Sequence, residues 1–112
     1  SMKDIPHILV ACTIAEARGT AFTDLEWEPY ERDGLWGALN KDGEFVRFRS
    51  SFSTLQGYRA EGRKLYLGRS WIFAHSHGSS EEAIRNWEER GGEVITVWHK
   101  SLRQQLIEAG EV

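Results

Sequence analysis

Residues 63–99 read RKLYLGRSWIFAHSHGSSEEAIRNWEERGGEVITVWH, and two different periodicities meet inside them. Positions 64–74 are apolar and aromatic enough for a buried strand, and 93–98 form a short β-branched run behind Gly91 and Gly92. Between them Ser79, with Glu82 three residues later, has the spacing of a capping box that opens a helix. That helix gathers Ala83, Ile84 and Trp87 on one face and sets Glu81, Arg85 and Glu89 four apart on the other, so Trp87 belongs to a core. Strand, helix and strand of these lengths predict a right-handed parallel crossover, with the loop 75–79 at the carboxyl end of one strand and the amino end of a helix.

Working outward, Ile8, Leu9, Val10, Ala11 and Cys12 make a continuous apolar run, the pattern of a central strand covered on both faces. Thr13 and Glu16 repeat the capping-box spacing directly after it, and Ile14, Ala17, Ala21 and Phe22 give the stripe of a short helix that Gly19 weakens. Two strand-to-helix turns predict an α/β fold: one small single-domain sandwich over 1–112 with a mainly parallel sheet, in preference to an all-β barrel. An antiparallel hairpin extends it. Its strands are 35–39 and 44–48, joined by Asn40-Lys41-Asp42-Gly43, and Pro29 drives the preceding strand to an edge. One or two helical turns are expected over 50–58, capped by Ser51 or Ser53, and a terminal helix from Ser101 through Leu102, Leu106 and Ile107 to Gly110.

Composition narrows the function classes. A chain of 112 residues with 40% hydrophobic and 28% charged residues has room for one core. Its net charge of -3 argues against general nucleic-acid binding, which calls for a basic excess. The lone Cys12 rules out an intrachain disulfide and, lying in an apolar run, is expected to be a buried, inert thiol in a reducing compartment. No apolar run reaches bilayer length and no signal peptide is visible, so a cytoplasmic location without membrane association is expected. Ser1 ahead of Met2 reads as a tag remnant.

Four segments, ILVACTIAEARGTAF at 8–22, SSFSTLQGYRAEGRKLYL at 50–67, GRSW at 68–71 and GGEVITV at 91–97, resemble small orphan α/β proteins encoded by bacteriophages of actinobacteria. The shared features are the Ala-Glu-Ala-Arg helix at 15–18 and the Leu-x-Gly-Tyr-Arg turn at 55–59. The hairpin region 33–44 lies outside the resemblance, as an insertion. The resemblance implies a compact Rossmann-like or flavodoxin-like fold in a phage accessory protein, working in the host cytoplasm if phage-encoded. It carries over no catalytic residues and no cofactor.

Chemistry is therefore read from positions. Three of the four histidines stand at predicted strand ends. If the strands are parallel, Thr13, His75, His77, Gly78, Ser79, Ser80 and His99 converge on one rim, where free helix N–H groups suit an anion or phosphate. The same loop also reads as a helix cap, polar because caps are polar, and that reading is the favoured one. A zinc set of His75, His77, His99 and Cys12 has suitable ligand types but no Cys-x-x-Cys or His-x-x-x-His spacing. Neither Gly-x-Gly-x-x-Gly nor a phosphate loop occurs. Arg47, Arg49, Arg59, Arg63, Lys64 and Arg69, interleaved with Phe48, Tyr58, Tyr66 and Trp71, read either as a single-strand nucleic-acid stripe or as a solvated face over core aromatics. The acidic balance favours the second reading.

Five tryptophans exceed the needs of one small core. Trp27, Tyr30, Leu35 and Trp36 read either as an exposed protein-binding or self-association surface beside the hairpin, with Asp24, Glu26, Glu28, Glu31 and Asp33 as an acidic margin, or as the cover of the open face of a small sheet. The functional expectation is a non-enzymatic accessory protein acting by protein–protein binding. The alternative is a ligand-binding or hydrolytic α/β protein that uses the loop 75–79 with His99.

Overall fold

The computed structural model describes residues 5–50, 55, 57–68, 78–97 and 110, with the backbone alone at 78–80. The elements are β1 (His7–Val10), α1 (Ile14–Gly19), a π-helical turn (Thr20–Asp24), β2 (Glu28–Arg32), β3 (Leu35–Leu39), β4 (Phe45–Arg49), β5 (Lys64–Leu67), α2 (Gly78–Glu89) and β6 (Glu93–Thr96). Among the described residues they form one six-stranded mixed sheet in the order β2-β3-β4-β1-β5-β6. β4, β1, β5 and β6 are parallel neighbours, and β3 and β2 extend them antiparallel. The fold is α/β, and the expected parallel block with its hairpin extension is present.

β1 is central because every one of its four positions is buried between two partners. The period of two then builds two cores. Leu9, Val46, Ala38 and Tyr66 face Ala17, Ala21 and Trp27 on one side of the sheet. Ile8, Val10, Leu65 and Leu67 face Trp87, Leu55 and Ala60 on the other. α1 thus covers one face and α2 the opposite one.

Local chemistry explains the boundaries. Thr13 caps α1 by accepting the Glu16 amide at 3.1 Å, as the spacing predicts. The helix then widens into the π turn, where the Leu25 amide reaches the Thr20 carbonyl at 2.9 Å, so the apolar stripe drifts. Ala17 and Ala21 stay buried, while Ile14, expected in the stripe, is exposed at the first helical position. Asp33 at φ 52° and Gly34 at φ 78° make the two-residue turn between β2 and β3, with both centres left-handed as a type I′ hairpin requires. Pro29 lies on the edge strand β2, where a missing N–H costs no ladder bond. At Gly37 a β-carbon would overlap the Val46 carbonyl and come 2.9 Å from the Phe45 ring, so only glycine lets that ring lie across β3.

Two further expectations are corrected. The helix after β5 begins at Gly78, which places Ser79 inside the first turn instead of at the cap; the capping position falls on residue 77, outside the described residues. Cys12 is exposed, because β1 ends at Val10 and the chain turns away toward α1. Strand β5 ends at Leu67, and the expected continuation over 69–74 lies outside the described residues, as do most of 50–58 and the terminal helix. Among the described residues no helix is long and apolar enough to cross a membrane.

Candidate functional site

The four parallel strands put their carboxyl ends, Arg49, Val10, Leu67 and Thr96, on one rim. α1, which follows β1, packs on one face of the sheet, and α2, which follows the neighbouring β5, packs on the opposite face. In parallel α/β sheets, ligands bind outside the carboxyl ends of strands whose helices part in this way. The described part of the rim holds Cys12, Thr13 and Gly68. The Gly68 amide donates to the Val10 carbonyl at 2.7 Å, and a β-carbon there would stand 3.0 Å from the Ala11 methyl, so the two loops touch through backbone. Thr13 spends its hydroxyl on the α1 cap. Gly78, Ser79 and Ser80 form the first turn of α2, while His75, His77 and His99 lie outside the described residues. Among the described residues no group of three or more His, Cys, Asp or Glu could hold a metal ion.

The opposite rim carries a polar cluster that sequence reasoning missed. His7 opens β1, Lys64 opens β5, and the turn 40–44 between β3 and β4 reaches over both. Glu44 is the hub: its carboxylate accepts His7 Nε2–H at 3.0 Å, Lys64 Nζ at 2.8 Å and Asn40 Nδ2 at 2.8 Å. Asn40 also donates to the Tyr66 hydroxyl at 3.0 Å, and its Oδ1 accepts the amides of Asp42 and Glu44 at 3.0 and 2.9 Å. Tyr66 in turn meets Trp27 edge to face at 4.8 Å. The hydrogen bond from Lys64, then those from Asn40 and His7, hold the Glu44 carboxyl down at about 2. The bond to Glu44 raises Lys64, and burial raises Tyr66.

This cluster brackets the strand ends: His7 Nδ1 accepts the Lys64 amide at 2.9 Å while Nε2 donates to Glu44, so both ring nitrogens are engaged within the fold. The only sequence signals for it were a histidine heading an apolar strand and the alternation Lys64, Leu65, Tyr66. Its members come together through strand register.

The hairpin residues separate. Trp36 is 72% exposed, and Tyr30 and Leu35 are each 38% exposed. Trp27, expected on the same surface, is instead 8% exposed within the α1 core: Glu26 adopts φ 57°, and the next residue turns inward. The pairs Glu31 with Trp36 and Arg32 with Leu35 are adjacent in the ladder, so Trp36 projects from one face of the ribbon and Leu35 and Tyr30 from the other. Tyr30 leans on the Phe45 ring at 5.6 Å. The exposed carboxylates of Asp24, Glu26, Glu28, Glu31 and Asp33 surround the ribbon.

The basic and aromatic residues divide between the two faces of the sheet, and Arg69 and Trp71 lie outside the described residues. Phe48 and Tyr66 belong to the α1 face, Lys64 is tied to Glu44, and Arg59 pairs with Glu61 at 3.5 Å, whereas Tyr58 packs on the α2 face. No family model, no curated protein and no solved structure matches the chain.

Proposed function

We propose that this is a non-enzymatic accessory protein that binds a protein partner through the β2–β3 hairpin. The observation that carries the reading is Trp36, 72% exposed on a tightly turned two-residue hairpin. An indole held outward on a rigid ribbon contributes a large apolar contact at little entropic cost, which is why tryptophan dominates binding hot spots. The carboxylates around it favour a partner with a basic surface and a pocket for the ring. Pro29 lacks an N–H on the edge strand, so docking by side chains is favoured over addition of a strand. A Rossmann-like or flavodoxin-like topology fits the parallel block, and the resemblance to actinobacteriophage proteins fits an accessory role in the host cytoplasm. In a comparison of captured partners, Trp36→Ala and Glu31→Lys should each lose a partner held by wild type, with that partner also released by salt. An unchanged set, or an assembly that is only self-association in sedimentation, rejects the reading.

A second reading is favoured by the divergent connections after β1 and β5: a small ligand at the carboxyl rim, held by Thr13, the loop 75–79 and His99. Thermal shift with divalent metals and nucleotides tests it, since saturating ligand raises the melting point. A shift abolished by His77→Ala supports it, and no shift with any of them removes it.

A further inference from the structure

Among the described residues, the α2 face of the sheet carries four arginines with no carboxylate partner. Arg47 and Arg49 are two apart on β4, level with Ile8 and Val10 of β1, so both project toward that face. Arg63 precedes β5 by one residue, and its carbonyl accepts the Glu93 amide at 2.8 Å, which continues the ladder. Arg90 follows α2 directly. Three of the four converge on Tyr58. The Arg63 and Arg49 guanidiniums lie 4.8 and 5.6 Å from its ring centre, Arg49 Nη2 donates to its hydroxyl, and Arg90 Nη1 donates to its carbonyl at 2.6 Å.

What this group lacks is acceptors. Arg47 Nε, Arg49 Nε, Arg63 Nε, Arg63 Nη1 and Arg90 Nε are buried without a hydrogen-bond partner. Among the described residues no carboxylate pairs with any of these four side chains; the ion pairs there involve His7, Lys64 and Arg59. Burial lowers the Arg63 pKa, the expected sign for a cation short of compensation. Buried charged donors without acceptors are unfavourable, so these nitrogens call for an acceptor from outside the fold. All four residues keep partial exposure while the unpartnered nitrogens are covered, so an anion reaches these donors as the side chains part.

We propose that Arg49 and Arg63, held around Tyr58, together with Arg47 two residues along β4, form a binding site for a phosphoryl anion. Planar guanidinium forks match the several oxygens of a phosphate, and a dianion supplies acceptors to several donors at once. Arg90 is the positioning residue. Its bonds to the Tyr58 and Leu55 carbonyls hold the Tyr58 segment in place.

The test is calorimetric titration of the whole chain with inorganic phosphate, pyrophosphate and adenosine monophosphate, against chloride at matched ionic strength. Saturable heat with a phosphoryl ligand and none with chloride is expected, weakened at least about tenfold by Arg47→Gln or Arg63→Gln, as loss of a charged hydrogen bond implies. Tighter binding of the nucleotide assigns the phosphoryl group to nucleotides, and tighter pyrophosphate binding assigns it to free phosphates. Because a glutamine variant can fail to fold, the arginine Nε–H resonances of wild type provide a second measurement. Those of Arg47, Arg49 and Arg63 should shift with pyrophosphate and not with chloride. Absence of saturable binding, unmoved Nε–H signals, or binding that survives both substitutions and is lost in His77→Ala overturns the proposal.

Discussion

The Lys64 amide donates to His7 Nδ1 at 2.9 Å across 57 positions of sequence, and this bond fixes the imidazole with its proton on Nε2, directed at Glu44. One histidine thereby ties the first residues of two parallel strands to the turn between β3 and β4.

Glu44 makes that bracket sensitive to acid. Its carboxyl titrates at about 2 when folded against 4.5 for the ordinary group, so the folded state holds its proton less tightly than the unfolded one. The stabilisation is complete above about pH 4.5 and disappears as pH falls toward 2. The Glu44 side chain is 35% exposed, and after discounting for solvent screening the effect is on the order of 1 kcal/mol. Urea unfolding at pH 6, 4 and 3 should show wild type losing this amount, while Glu44→Gln starts less stable and loses less.

Asn40 satisfies two backbone amides and two side chains at once. Asn40→Ala leaves the Asp42 and Glu44 amides without their acceptor and should cost about 2–3 kcal/mol in denaturant unfolding. Asn40→Asp keeps that acceptor but sets a carboxylate beside Glu44, so its deficit should shrink between pH 7 and pH 4.

Two glycines should respond in opposite directions. A β-carbon on Gly92 would overlap Nε1 and Cδ1 of the fully buried Trp87, whose indole N–H donates to the Glu93 carbonyl at 3.2 Å. Gly92→Ala should lower stability by about 1–3 kcal/mol and alter tryptophan emission. Gly19 has helical dihedrals and nothing within 4 Å of its missing β-carbon, so Gly19→Ala should add about 0.5–1 kcal/mol. Melting curves of the two variants check both signs.

The tryptophans Trp27 and Trp36 divide structure from surface. Trp27→Ala empties a site packed against Tyr66 and should cost about 3–5 kcal/mol. Trp36→Ala should stay within about 0.5 kcal/mol of wild type and remove an acrylamide-accessible part of the emission.

Much of the frame was legible in the residues because it rests on local signals. The apolar run at 8–12, the turn residues Asn40 to Gly43, Pro29 on an edge and the stripe containing Trp87 each follow from the period and chemistry of a few neighbours. Strand direction also followed, since a helix of that length between β5 and β6 joins parallel strands. The site was less legible. A strand pattern tells which residues alternate, but which strand lies beside which, and in what register, depends on contacts dozens of residues apart.

By itself, then, the sequence determined the α/β class, the strand and helix positions near the hairpin and α2, and the burial of Trp87. Only the tertiary structure decided that Trp27 turns inward while Trp36 stays out, that Cys12 leaves the core, and that His7, Asn40, Glu44 and Lys64 meet. The physical reason is that hydrophobic periodicity is written in neighbouring residues, whereas a hydrogen-bonded cluster and a set of unpaired arginines exist only once β1, β4 and β5 are aligned side by side.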